Sequence, residues 1–318
     1  MRHYGRIIGR RLVHMLPIVL LATFLIFGLM QLVPGDLALT LAGDYATPEL
    51  VEHIRQYYHL DQPFIVQYGQ WLWSALHGDL GRSFLSQEDV AQSIMRTLPK
   101  TMLIGIMSIV IALAIGLPIG MMAALRKGSW IDSVVTTISS LGVALPSFWL
   151  AMLLASVFAL SLNWFPATGA GEPITTNFAD AVWHAVLPAI AVASSSVAEI
   201  ARQVRSAMIG IMGKQYIRTL HAKGLSPMAI VWRHGLKNMA VTVLTLIGLL
   251  ISGTLGATVV VEAIFAIPGI GSMVANAAIT KDFPIIQGVV LIMVMIVIVV
   301  NLVVDLLCVT VDPRLKRS

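Results

Sequence analysis

The sequence predicts an all-α, polytopic membrane protein with six transmembrane helices, both termini cytoplasmic, and a helical segment outside the membrane after the first span. Three observations predict it. The 318 residues are 57% hydrophobic and only 12% charged, against roughly 45–50% apolar and 25% charged in soluble domains. The apolar residues gather into six runs free of Asp, Glu, Lys and Arg: Leu12–Leu32, Thr101–Leu125, Ser133–Leu162, Ala181–Ala198, Met239–Val261 and Phe283–Val304. Each approaches or exceeds the roughly 18–20 residues that cross a hydrocarbon core. Finally, Lys and Arg are divided unevenly between alternate loops.

With six spans the termini share a side. That side carries Arg2, Arg6, Arg10 and Arg11, then Arg126 and Lys127, seven basic residues between 202 and 237, and Arg314, Lys316 and Arg317: sixteen of the 21 Lys and Arg. The excess of positive charge makes that side cytoplasmic. It also accounts for the net charge of +5 without a nucleic-acid partner. The first apolar run is about twice the 7–15-residue core of a signal peptide and has no A-x-A-like cleavage site after it, so it is expected to be retained.

The segment from Pro34 to Lys100 is too polar to span. Thr47-Pro48-Glu49-Leu50 reads as an N-cap, a proline at the first helical position and an acid in the first turn. Phe64, Tyr68, Trp71, Leu72 and Leu76 fall on one helical face. That face suits either a helical cap packed on the membrane domain or a partner-docking surface, and periodicity leaves both open. Within the runs, Gly116 and Gly120 form GxxxG, and Gly248, Ser252 and Gly256 repeat the small-residue spacing. Such stripes let helices approach closely or line a pathway. Pro118, Pro146 and Pro188 each interrupt a run. The short fourth run is expected to continue as helix past Glu199 and Arg202, spaced for an i,i+3 pair.

Several chemistries are missing. There is no GxxxxGK[ST] phosphate loop, no HExxH, and no Cys/His spacing for a metal; the single Cys308 reads as a buried structural residue. The eight His and sixteen Met are scattered, and methionine is ordinary apolar filling. Ser139, Ser140 and Ser252 suit backbone hydrogen bonds within spans better than nucleophilic roles. No Asp, Glu, Lys or Arg in mid-run marks a proton or ion relay, which weakens the alternative of a partner-independent secondary transporter or channel.

Against this apolar background, Lys214, Arg218, Lys223, Arg233 and Lys237 crowd one segment. Tyr216–Lys223 suits a short helix that Gly224 stops. Ser226 then serves as an N-cap with Pro227 at the first helical position, and Leu225 and Ile230 occupy hydrophobic-staple positions. A second short helix is expected to run to about Asn238. A basic segment beside a membrane can bind anionic lipid, but the turn chemistry specifies a shaped knuckle, which suggests a partner.

YIRTLHAKGLSPMAIVWRHGLKNM, residues 216–239, resembles the cytoplasmic EAA loop of ABC-importer permeases in the form used by the peptide/nickel family. Aligned on Gly224, Arg218, Thr219 and Leu220 fall at the E-A-A positions, and His234, Leu236 and Lys237 at the I-x-L-P positions; Gly224 and Leu236 match the general pattern, and the rest follows the peptide-family version. LVPGD (32–36), LDQPFIVQYGQWLW (60–73), GDLGRSF (78–84), GVALPSFW (142–149), VVVEAIFAIPGIG (259–271), DFPIIQGVVL (282–291), NLVVDLL (301–307) and DPR (312–314) extend the likeness along the chain. The sequence is similar to the first of the two permeases of a dipeptide, oligopeptide, glutathione or nickel importer.

The resemblance implies residues 1–33 as an N-terminal stretch and first helix, 34–100 as a periplasmic helical segment, 101–308 as the permease core with a coupling loop at 213–238, and 309–318 as a cytoplasmic tail. It implies no cofactor on this chain, with ATP and Mg used by two ATPase subunits. A sister permease would complete the pathway and a periplasmic binding protein would deliver the solute. The ATPase-coupling set would be Tyr216, Arg218, Thr219, Leu220, Ala222, Lys223, Gly224, Leu225, His234 and Leu236. Outer-gate or binding-protein contacts would involve Glu262, Phe265, Pro268, Gly269 and Gly271, with Asp79 and Arg82. From the residues alone, Glu262 and its turn read equally as an interfacial carboxylate with its loop or as a gate element.

Overall fold

The computed structural model describes residues 2–31, 36–42 and 46–311. Residues 32–35 of the LVPGD motif and the DPR motif at 312–314 lie outside them. Among the described residues the regular elements are helices, with one isolated β-bridge between Arg82 and Asp89. The chain forms two compact units, Met1–Leu98 with Met273–Ile298, and Pro99–Ser272 with Val299–Ser318.

In the first unit, α1 (Arg2–Gln31) is followed by α2 (Leu37–Ala42), α3 (Pro48–Tyr57) and α4 (Phe64–Leu76). Thr47 caps α3 as its sequence implies, accepting from Leu50 N at 3.2 Å, with Pro48 first in the helix and Glu49 in the first turn. The apolar face of α4 packs inside this unit. Phe64, Tyr68 and Trp71 meet Phe24 and Phe27 of α1, with ring centroids 5.3–6.1 Å apart, and Thr23 Oγ1 lies 3.0 Å from Tyr68 OH. Aromatic pairs at these separations add to ordinary burial. Leu76, at 74% exposure, is the exception on that face.

The next helix, α5 (Val90–Leu125), starts eleven residues before the uncharged run, because polar residues such as Ser93 and Thr97 are buried and bonded. The second unit holds the remainder of α5, then α6 (Trp130–Ala144), α7 (Ser147–Leu154) with a π-helical extension Ala155–Ser161, α8 (Phe178–Met212), α9 (Gln215–Ala222), α10 (Pro227–Ile230), a π-helical turn Val231–Gly235, and α11 (Leu236–Ile264). Two more helices, α12 (Ile270–Thr280) and α13 (Phe283–Val311), close the chain.

The centre of the second unit is α8, against which α6, α7 and α11 pack. Its small residues allow this. A Cβ on Gly116 would stand 2.8 Å from Ile200, one on Gly120 would stand 2.5 Å from Ala201 O, and one on Gly142 of α6 would stand 3.0 Å from Ala198. Glu199 and Arg202 form the expected pair. Asp132, in the first turn of α6, takes a bidentate contact from Arg205 of α8, with Nη2 to Oδ2 at 2.8 Å, and accepts Gly128 N–H at 2.9 Å.

Two expectations change. The third apolar run is not one helix: α6 and α7 meet at a 95° bend. Leu145 stands before Pro146 in an extended conformation (φ −78°, ψ 123°), because proline disfavours the helical region in the preceding residue. Pro118 and Pro188, by contrast, lie inside continuous helices. The second short helix of the basic segment does not stop near Asn238 but continues to Ile264. Among the described residues, four helices are long and apolar enough to cross a membrane, α5, α8, Met228–Ile264 and α13, or five with the bent pair. The described apolar stretch of α1, Met15–Gly28, is shorter than a crossing.

Candidate functional site

The basic segment folds as a knuckle. α9 ends at Ala222, and Gly224 takes φ +82°, a conformation open to glycine at no steric cost. Gly224 N donates to His221 O at 2.9 Å and Leu225 N to Leu220 O at 3.3 Å, the paired bonds of a Schellman termination. Ser226 Oγ then accepts from Ala229 N at 3.3 Å to start the next helix. A Cβ on Gly224 would meet nothing within 4 Å, so the glycine is needed for its backbone angle and not for space.

The knuckle has a seat and a free face. Ile217, Ile230 and Val231 are buried in one cluster with Met121 of α5 and Met208 and Ile211 of α8; Leu220, Leu225 and Leu236 pack on its edge. Arg218, Thr219, Ala222, Lys223 and Gly224 are exposed, and Met228 (61%) and Trp232 (60%) extend that free face as apolar surface. Tyr216 is exposed and His234 half-buried. Two residues that sequence reasoning missed hold the parts together. Asn238 Nδ2 donates to His234 O at 2.7 Å and to Tyr216 OH at 3.2 Å, tying both arms. Gly235 lets Met208 in, since a Cβ there would stand 3.0 Å from its sulfur.

A second constellation closes around Glu262. The carboxylate is fully buried within the protein, two residues before α11 ends at Ile264. Its Oε1 accepts from Thr101 Oγ1 at 2.6 Å and its Oε2 from Ser272 N at 3.0 Å, while Thr101 Oγ1 accepts from Ile270 N at 2.9 Å. Gly269 and Gly271 allow this approach: a Cβ on Gly269 would stand 2.4 Å from the carboxyl group, and one on Gly271 would stand 2.5 Å from Val259 Cα. Phe265 is buried beside the turn, and its carbonyl accepts from Gly169 N at 2.8 Å. Pro268 is exposed. The irregular backbone is thus satisfied by protein, as it must be where water is scarce. Thr101, at the start of the second apolar run, carried no sequence signal for this role.

Asp79 and Arg82 belong to the other unit. Asp79 Oδ1 accepts from Gly81 N at 2.9 Å. The adjacent Ser83 and Phe84 bind a distant carboxylate in the same unit: Asp282, 2% exposed, accepts from Ser83 Oγ through Oδ2 and from Phe84 N at 3.1 Å through Oδ1. Nearby, hydrogen bonds from Ser93 and then Arg96 hold the Glu88 carboxyl below its ordinary pKa.

The small-residue stripes divide by their neighbours. Gly116 and Gly120 are filled by α8, and a Cβ on Gly248 would stand 3.0 Å from Asn301 Oδ1. Ser252 and Gly256 are exposed, and Gly256 has no neighbour within 4 Å of a Cβ position. Three of the five are explained by packing within the chain; the other two face outward.

Residues 116–317 match the family described as binding-protein-dependent transport system inner membrane component. Residues 5–105 match its N-terminal membrane-component counterpart. A Brucella abortus (strain 2308) protein provisionally named as a peptide transport system permease is 39% identical over 310 residues, covering 98% of each chain. The oligopeptide transport system permease protein AppB of Bacillus subtilis is 36% identical, covering 96% of this chain and 98% of its own, and the dipeptide transport system permease protein DppB of Escherichia coli K12 is 33% identical, covering 97% and 98%. Among solved structures, inward-facing MetNI, a methionine ABC transporter, has a chain that superposes with a TM-score of 0.54 at 18% identity, covering 69% of this chain and 96% of that one. At that identity the likeness is one of fold. Long apolar helices, a seated basic knuckle and full-length relatives agree: this is an integral multi-pass membrane protein, and it belongs to the family of binding-protein-dependent transport system inner membrane components.

Proposed function

We propose that this chain is one of two permease subunits of an ABC importer for short peptides, in an inner membrane. The observation that carries this reading is the knuckle, whose buried base is continuous with the packing of α5 and α8 while its free face presents Arg218, Lys223, Met228 and Trp232. Apolar area ringed by cations suits a protein partner with a complementary acidic rim. Because α10 runs without a stop into α11, a push on the knuckle moves a membrane helix as a rigid lever. ATP and Mg would be handled by two separate ATPase chains. Nucleotide would act here only through differential contact with the two knuckle positions. The names of the full-length relatives support peptides as the cargo; nickel and glutathione find no comparable support among them.

In this reading the termini and the knuckle lie in the cytoplasm, six spans include α1 and the bent α6–α7 pair, and residues 34–100 face the periplasm and a solute-binding protein. Glu262 and its turn would close the outer end of the pathway. Ser252 and Gly256 would face a sister permease or the solute path.

Gly224→Val tests the reading. Forcing a β-branched residue into φ +82° costs about 1–3 kcal/mol locally, with no clash. The expected result is a folded chain in the membrane that co-purifies poorly with its ATPases and loses most ATP-dependent peptide uptake. Unchanged ATPase association and uptake in this variant would remove the knuckle from the coupling role.

A further inference from the structure

The first unit contains a cleft of about 720 Å3, within the roughly 300–1,000 Å3 of small-molecule sites. It does not involve the Glu262 turn or the knuckle. Its floor is set by the turn that follows α4. Gly78 (φ +87°) and Gly81 (φ +81°) reverse the chain, Asp79 N donates to Ser74 O at 3.0 Å, and Asp79 Oδ1 holds Gly81 N. The tie from Ser83 and Phe84 to Asp282 fixes the far side. The turn is therefore built and braced, and it brings Asp79 and Arg82, opposite charges three residues apart, to one cleft.

Several polar groups of the cleft are paired within the chain, Arg55 with Asp36 and Gln67 with the carbonyls of Leu60 and Gln62 among them, and two are not. Among the described residues, the Arg82 side chain makes no hydrogen bond or ion pair, and neither does the Gln70 amide. Trp71 also lines the cleft. Tyr57, Tyr58 and Phe84 supply aromatic wall. A guanidinium for a carboxylate, a carboxylate for an ammonium, an amide for peptide groups and aromatic faces for side chains describe one ligand class.

We propose that this cleft is a binding site on the permease itself for a short zwitterionic peptide, with Arg82 binding the terminal carboxylate, Asp79 the terminal ammonium and the Gln70 amide a peptide group. The proposal rests on the peptide-importer reading and adds a selectivity station on this chain, ahead of the spans and separate from the binding protein. Peptides of two or three residues fit its scale, since an extended chain spans about 3.3–3.6 Å per residue.

The test uses the full chain in lipid nanodiscs, with radiolabelled Ala-Phe as the probe and Ala-Phe-amide and N-acetyl-Ala-Phe as competitors. Saturable binding is expected, with each blocked peptide competing at least about tenfold more weakly, as loss of one charge-assisted bond implies. Arg82→Gln should weaken Ala-Phe about tenfold while leaving Ala-Phe-amide unchanged. Asp79→Asn keeps the oxygen that holds Gly81 and should erase discrimination against the N-acetyl peptide. Absence of saturable binding, or variants that discriminate as the wild type does, would overturn the proposal. So would variants that lose only the association with the binding protein, which would make the cleft a docking surface. ATP-dependent uptake of Ala-Phe by the complete transporter separates the two levels. If uptake is intact and insensitive to both variants, the cleft assignment fails alone; if the wild type takes up no peptide, both readings fail.

Discussion

α8 and α13 are both membrane-length helices, yet they live in different solvents. In α8, 56% of the most apolar stretch is buried within the protein; in α13 the figure is 11%. α8 is also the less apolar of the two, rich in Ala and Ser and carrying Glu199, Arg202 and Arg205. α13 is almost wholly Val, Ile, Leu and Met between Val289 and Val304. The more apolar helix is the one that the rest of the chain covers less. A helix surrounded by other helices is selected for small residues that admit close neighbours, and it can carry charges if partners meet them.

The sharpest way to break the comparison is Gly120→Leu. Its Cβ alone would lie 2.5 Å from Ala201 O and 2.9 Å from Val204, backbone and branched side chain that cannot yield cheaply. Overpacking of this kind costs about 3 kcal/mol or more, enough to remove folded chain from membranes. Normal recovery of monodisperse protein would contradict the close α5–α8 contact. Asp132→Ala comes next. It leaves Arg205 and Gly128 N–H without their acceptor. Breaking a buried pair costs about 3–5 kcal/mol; because the Arg205 side chain is 28% exposed, about 2 kcal/mol is expected after solvent screening. Denaturant unfolding in detergent would measure it, and a wild-type midpoint would mean the pair is idle. At the other extreme, Val303→Leu on α13, at 49% exposure, should change stability by less than about 0.5 kcal/mol. A loss as large as that of Asp132→Ala would mean this face is covered by protein, as by a sister subunit.

The same contrast explains what could be read from sequence. The ends of short elements were legible because their chemistry is local: Thr47 caps α3, and Gly224 and Ser226 shape the knuckle within a few residues of where they stand. Apolar runs located α5, α11 and α13, much of whose surface this chain leaves uncovered. They underestimated α8, since the run Ala181–Ala198 stops where Glu199 and Arg202 begin although the helix extends from Phe178 to Met212. The break at Leu145–Pro146 was signalled by its proline, but Pro118 and Pro188 carry the same letter and sit in unbroken helices, so the letter alone does not decide. Asn238 and Gly235 act through partners in neighbouring turns and helices, and no periodicity marks them. The ties of Thr101 to Glu262 and of Ser83 to Asp282 join positions 161 and 199 residues apart; each is an ordinary polar residue until the fold brings its partner.

The Ser83–Asp282 tie also sets an order in time. The first unit takes residues from both the beginning of the chain and Met273–Ile298, and Gly288 fills the space between Val90, Ile94 and Leu80. A ribosome making this protein delivers the turn at Gly78–Phe84 long before it delivers Asp282. Domains usually complete themselves in order of synthesis, but this unit must wait. Until Asp282 is made, Asp79 can hold Gly81, but Ser83 and Phe84 lack the carboxylate that ties them to the rest of the unit. A chain interrupted before residue 282 therefore leaves its earliest-made unit unfinished.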